Sequence, residues 1–109
     1  MATPSMANKW NIPDWLELEV RERDKFCVYC GVEFTPIQEA RKSTPSWEHI
    51  IDDAKIITRE NIALCCCGCN ASKGQKQLSV WLKSKYCLTR GISPATVAPI
   101  VMQALDNGL

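Results

Sequence analysis

The chain has 109 residues, one domain's worth, with no room for a second. Its 46% hydrophobic and 23% charged residues are those of an ordinary globular protein, which excludes a disordered or low-complexity chain. The net charge of +1 announces no nucleic-acid binder, and the longest charge-free stretch, Gly91 to Leu105, is too short and too broken by Pro94 and Pro99 to span a bilayer.

The distribution of charge says more than its sum. Residues 1–60 hold eight Lys/Arg against eleven Asp/Glu, and residues 61–109 hold five against one. A basic C-terminal half beside an acidic N-terminal half suggests one face for phosphates and another for a cation, although a solvated Lys-rich helix gives the same count. Seven cysteines is a high number for this length. No basic stretch followed by an apolar run marks a secretory signal, so the reading is a cytoplasmic protein with reduced thiols that serve as metal ligands or buried groups.

Residues 1–12 are polar and predict a flexible N-terminal arm. Pro13-Asp14 opens a helix that runs to about Arg23. Phe26 to Gly31 reads as a tight turn between short strands. Pro36 to Arg41 predicts a helical turn, and Thr44-Pro45-Ser46 breaks it. Trp47 to Ile51 is a strand, Asp52 to Glu60 a polar loop, and Asn61 to Leu64 a second strand running into the cysteine cluster. A helix is expected from Asn70 or Ala71 to Gly91, because Leu78, Trp81, Leu82 and Tyr86 fall on one face. Ser93-Pro94 then predicts the start of a last helix, Pro94 to Asn107. The domain reading is therefore an arm over 1–12, a zinc-stapled domain over 13–90, and a C-terminal helix in 91–109 packed on it.

Cys27-x-x-Cys30 and Cys66-x-x-Cys69 form two knuckles. A two-residue gap lets both sulfurs of a pair point at one ion, and two such pairs complete a tetrahedral thiolate site, the pattern of structural zinc. Cys65 and Cys67 flank the second pair and can replace a ligand by a slip in register. Cys87 reads as a buried thiol.

Between the knuckles lies the single histidine, His49, preceded by Glu48. A lone histidine in a short apolar strand is more often core than catalyst. The wider arrangement argues otherwise. Arg23-Asp24, Cys27-Val28-Tyr29-Cys30-Gly31, Glu48-His49-Ile50, Asn61-Ile62-Ala63-Leu64 and Cys66-x-x-Cys69-Asn70-x-x-Lys73 occur in order at set gaps. Trp81-Leu82 follows where relatives carry an aromatic. Over residues 21–83 the chain resembles the HNH endonuclease family.

The resemblance implies a small α+β fold: a ββα-metal core with a structural four-Cys zinc site, flanked by an N-terminal and a C-terminal helix. It implies a metal-dependent endonuclease acting on DNA. His49 resembles the family's general base, a role suited to imidazole. Glu48 and Asn70 resemble the pair that holds one hard divalent ion, Mg²⁺ or Mn²⁺. Asn61 resembles the middle Asn that fixes the loop orienting His49. Lys73, Lys76 and Arg23 are the expected phosphate contacts. Two positions depart from the pattern: Glu48 stands where Asp is usual, and Asn70 where His is frequent. A monomer and a homodimer both satisfy this pattern. Two other readings compete. One is a non-catalytic zinc module that binds DNA through the Lys-rich half. The other is a protein-interaction module using the stripe Val97, Ile100, Val101 and Leu105.

Overall fold

The computed structural model describes residues 10–35 and 43–108. The expected helical turn at Pro36 to Arg41 and most of the expected arm lie outside these residues. Ile12, at the end of that arm, is buried in the core.

Helix α1 spans Asp14–Arg23. The Pro13 carbonyl accepts the first amides, from Leu16 and Glu17. Asp14 and Glu17 sit in the first turn and Arg21 and Arg23 in the last, each sign favoured by the helix dipole there. Leu16 and Val20, four residues apart, form the buried stripe. The first cysteine knuckle follows. Phe26 and Glu33 bridge across it, and the amide of Gly31 returns to the Cys27 carbonyl at 2.9 Å. Gly31 has φ +79°, which suits a residue without a Cβ.

Strands β1 (Pro45–His49) and β2 (Ile62–Cys66) pair antiparallel, with His49 opposite Ile62 and Glu48 opposite Ala63. Helix α2 (Cys67–Lys73) follows β2 without a loop, because the Cys66 sulfur accepts the Cys69 amide and caps the helix. Alternate side chains of the strands face opposite ways. Trp47, Ile62 and Leu64 pack with Ile12, Leu16 and Val20 of the α1 side. Ala63 and Cys65 pack with Tyr29, Trp81 and the C-terminal elements on the other.

The helix expected over 70–90 is three helices. These are α2, α3 (Leu78–Trp81) and α4 (Lys85–Arg90). Gly74 ends α2 at φ +51°, and extended Gln77 and Ser84 restart the chain, Ser84 capping α4 through its hydroxyl. Leu78, Trp81 and Leu82 still bury, because the turns keep their side chains on one core. The last helix, α5 (Pro99–Asp106), begins at Pro99 and not Pro94; Ser93 and Thr96 instead close a hydrogen-bonded turn. Val97, Val101 and Ala104 are buried in the main core, so the apolar stripe is largely internal. The described residues form a small α+β fold built around one two-stranded sheet. Among the described residues no helix is long and apolar enough to cross a membrane.

Candidate functional site

The sulfurs of Cys27, Cys30, Cys66 and Cys69 lie within 4.8 Å of one another. Cys30 and Cys66 sulfurs are 3.8 Å apart. Tetrahedral bonds of about 2.3 Å to one zinc ion require sulfur–sulfur edges of about 3.8 Å. Amides of Tyr29 and Cys30 point at the Cys27 sulfur, each at 3.4 Å, and the Cys69 amide points at Cys66 at 3.3 Å. The Tyr86 hydroxyl donates to Cys69 at 3.4 Å. Such donors stabilise thiolates. Mutual hydrogen bonding also spreads the thiols apart: Cys27 and its neighbours hold Cys30 far below its ordinary range and Cys66 at about 6, while Cys27 and Cys69 are pushed up. These four cysteines can hold a metal ion such as zinc. Cys65 and Cys67 lie outside the group; Cys65 is fully buried beside Ser46.

His49 is the last residue of β1, on the face toward α1. Its ring meets the Trp10 indole edge-on, centroids 4.9 Å apart. Nε2 is buried and, among the described residues, has no hydrogen-bond partner. Burial pushes the imidazole below its ordinary 6.5, against the pull of Asp52 and Asp53; Lys73 adds to the lowering.

Glu48 faces the other way, toward α2. Its Oε2 accepts the Tyr29 hydroxyl at 2.6 Å and lies 3.0 Å from the Lys73 ammonium. Burial raises the carboxyl above its ordinary value, and Lys73 and Tyr29 hold it back. Lys73 is itself 1% exposed. The lysine expected to meet a phosphate is therefore turned inward, because the buried carboxylate needs a counter-charge.

Asn70 pins α2 to β1, its Nδ2 donating to Ser46 Oγ and to the Trp47 carbonyl, both at 3.0 Å. Asn61 ties the connection between the strands. Its Oδ1 accepts the Ile51 amide at 2.6 Å, and its Nδ2 donates to the carbonyls of Ile51 and Ile56. The backbone around His49 is thus held immediately after the strand ends.

Arg23, expected at a phosphate, is engaged within the protein. Its guanidinium grips both oxygens of Asp24 at 2.7 and 2.8 Å and bonds the carbonyls of Arg59 and Ile62. Lys76 is exposed, with its ammonium on the Ser72 carbonyl at the end of α2. The sequence reading missed Tyr29 as the partner of Glu48 and Trp10 as the neighbour of His49. An aromatic inside a CxxC gap was the one visible signal for Tyr29.

Glu48 and Asn70 offer hard oxygen atoms on two elements that pack together, and Glu48 already binds a cation, the ammonium of Lys73. Oxygen donors of this kind are those that hard divalent ions take. Comparison of the chain with family models, curated proteins and solved structures gives no match.

Proposed function

We propose that the chain is a zinc-stapled, HNH-type endonuclease that hydrolyses phosphodiester bonds of DNA. The observation that carries this reading is His49: the chain's single histidine ends β1 with Nε2 unpartnered, pushed toward the neutral form, while Asn61 clamps the loop behind it. A neutral imidazole with a free ring nitrogen can take the proton of an attacking water. The order β1, β2, α2, with one cysteine pair before β1 and the other at the junction of β2 and α2, also supports it.

In this reading the four thiolates hold zinc, which fixes the knuckles at both ends of the site. Glu48 and Asn70, on the α2 side of β1, would hold Mg²⁺ or Mn²⁺, which supplies positive charge to the scissile phosphate and the leaving oxygen when bound. His49 points to the α1 side, so one phosphate would meet both only across the end of β1, where the strand stops. Tyr29 orients the Glu48 carboxylate. Asn70 keeps α2 on β1, and Trp10 keeps water from His49 until a substrate displaces it. Exposed Lys76, Lys83, Lys85 and Arg90 give the basic side a hold on the DNA backbone. Reduced zinc thiolates suit the cytoplasm.

The test is cleavage of supercoiled plasmid by zinc-loaded protein with Mg²⁺ or Mn²⁺, beside His49→Ala. Cutting by the wild type alone supports the reading. Equal cutting by a folded, zinc-bound His49→Ala sinks it. A second reading, a non-catalytic zinc module that binds DNA, draws on the ion pair that engages Glu48 and on the basic C-terminal half. It predicts salt-sensitive binding without cutting.

A further inference from the structure

Lys73 stands at the end of a short helix yet is among the most deeply buried side chains of the protein. A lysine is rarely taken so far from water without a specific counter-charge. Its counter-charge is Glu48, whose Oε2 it shares with the Tyr29 hydroxyl. Tyr29 belongs to the first cysteine knuckle, and α2 begins on the second. The carboxylate is therefore flanked by one side chain from the first knuckle and one from the helix that starts on the second. Lys73 reaches that carboxylate along four methylenes, from a helix that ends immediately after it, at Gly74.

We infer that Lys73 is a placeholder cation: in the free protein its ammonium occupies the place beside Glu48 that a hard divalent ion takes, and the two exclude each other. The inference rests on the proposed reading of Glu48 as an ion ligand. Two cations within a few ångströms repel strongly where water is scarce. Ion binding then expels the ammonium, and the released lysine can reach a backbone phosphate. One residue thus neutralises the carboxylate before the ion arrives and contacts the substrate afterwards.

The probe is Mn²⁺, added to the zinc-loaded full chain. Mn²⁺ is the weaker ion for thiolates and leaves the zinc in place. Paramagnetic broadening is read on the imidazole protons, which belong to His49 alone because the chain has one histidine. In Lys73→Met the broadening is expected at roughly tenfold lower Mn²⁺ than in wild type, the repulsion being gone. Glu48→Gln should abolish it. Equal or weaker binding in Lys73→Met, binding that survives in Glu48→Gln, or no binding in any of the three proteins overturns the inference.

Lys73→Met leaves a buried carboxylate alone, so a second measurement uses the wild type. Mg²⁺ is titrated while the side-chain ammonium signal of Lys73 is followed beside the His49 resonances. The ammonium signal should fade into exchange with water in step with the His49 shifts. An ammonium that stays protected while His49 shifts, or a His49 that Mg²⁺ never shifts, overturns the inference. Neither readout involves cleavage. A protein that shows the competition but cuts nothing loses the nuclease reading and keeps this one; a protein that cuts without competition loses only this one.

Discussion

Asp24 accepts the backbone amide of Leu64 on its Oδ2 at 3.0 Å, across a separation of 40 residues. The Leu64 carbonyl takes the Val28 amide at 3.2 Å. Both outward groups of the middle of β2 are satisfied by the segment that follows α1, which closes an edge that a two-stranded sheet would leave open. Arg23 holds Asp24 in that position and reaches the carbonyl of Ile62 on the same strand.

Asp24→Ala removes the acceptor, leaves the Leu64 amide unpaired in the core and strips Arg23 of its partner. The expected loss is about 3 kcal/mol, the range for breaking one side of a buried charged pair. Arg23→Ala should cost less, because the guanidinium is partly exposed. Urea unfolding with zinc present checks both. Arg23→Ala should leave the salt dependence of DNA binding unchanged, since its donors are spent within the protein.

Asn61→Ala deletes three hydrogen bonds to the loop between the strands. Each is worth about 1 kcal/mol, so a loss of roughly 2 to 3 kcal/mol is expected. The more specific outcome is local: protease should cut between residues 50 and 61 faster than in wild type. Unchanged cutting there would show that the loop does not depend on Asn61.

The parts of this arrangement that were legible in the sequence are those set by local spacing. A two-residue gap is enough to read Cys27 with Cys30 and Cys66 with Cys69, because it places both sulfurs at one point whatever the rest of the chain does. Helix α1 was legible from Pro13-Asp14 and its acidic first turn. The parts that were not legible depend on distant partners. The inward pairing of Lys73 was not legible because a basic residue in a string of letters carries no sign of a carboxylate packed on it from another element. For Arg23 the neighbour Asp24 was visible, but the carbonyls of Arg59 and Ile62 that it also holds were not. Periodicity predicts one long helix over 70–90 because Leu78, Trp81 and Leu82 keep helical spacing across the breaks. Gly74 and Ser84 were the local signals that outweighed that periodicity.

The Glu48–Lys73 pair predicts non-additive mutations. Lys73→Met or Glu48→Gln alone leaves the other partner buried without its match, at a cost of about 3 to 5 kcal/mol. The double mutant leaves a neutral amide and an apolar chain in the same space and should be more stable than the sum of the two losses. A double-mutant cycle by urea unfolding measures the coupling. Coupling near zero would mean that water, and not Glu48, compensates the ammonium.

His49 titrates below its ordinary 6.5 because burial disfavours the charged ring. As pH falls below 6.5 the unfolded chain binds the proton first, so stability drops until the folded value is reached and this group then contributes no further change. Cleavage should follow the neutral form, rising with pH through the same depressed value. Trp10→Ala exposes the ring and should move both the titration and the rate profile up toward 6.5. The imidazole resonances of the one histidine give the titration directly.

The four-cysteine cluster makes the fold depend on its metal. Cys27, Cys30, Cys66 and Cys69 lie in the main core, or packed against it, beside Tyr29 and Trp81, and Cys66 also caps α2. Removing the ion leaves sulfurs within 4.8 Å of one another and the knuckles without a bond between them. We expect one zinc per chain and cooperative loss of helical circular dichroism as a strong chelator withdraws it. Cys30→Ser and Cys69→Ser should lose the metal and the fold together, while Cys67→Ser should keep both. Acid should act like the chelator, because protons compete with the ion for the thiolates. Retention of the full signal in excess chelator would mean that the core, and not the ion, holds the two knuckles together.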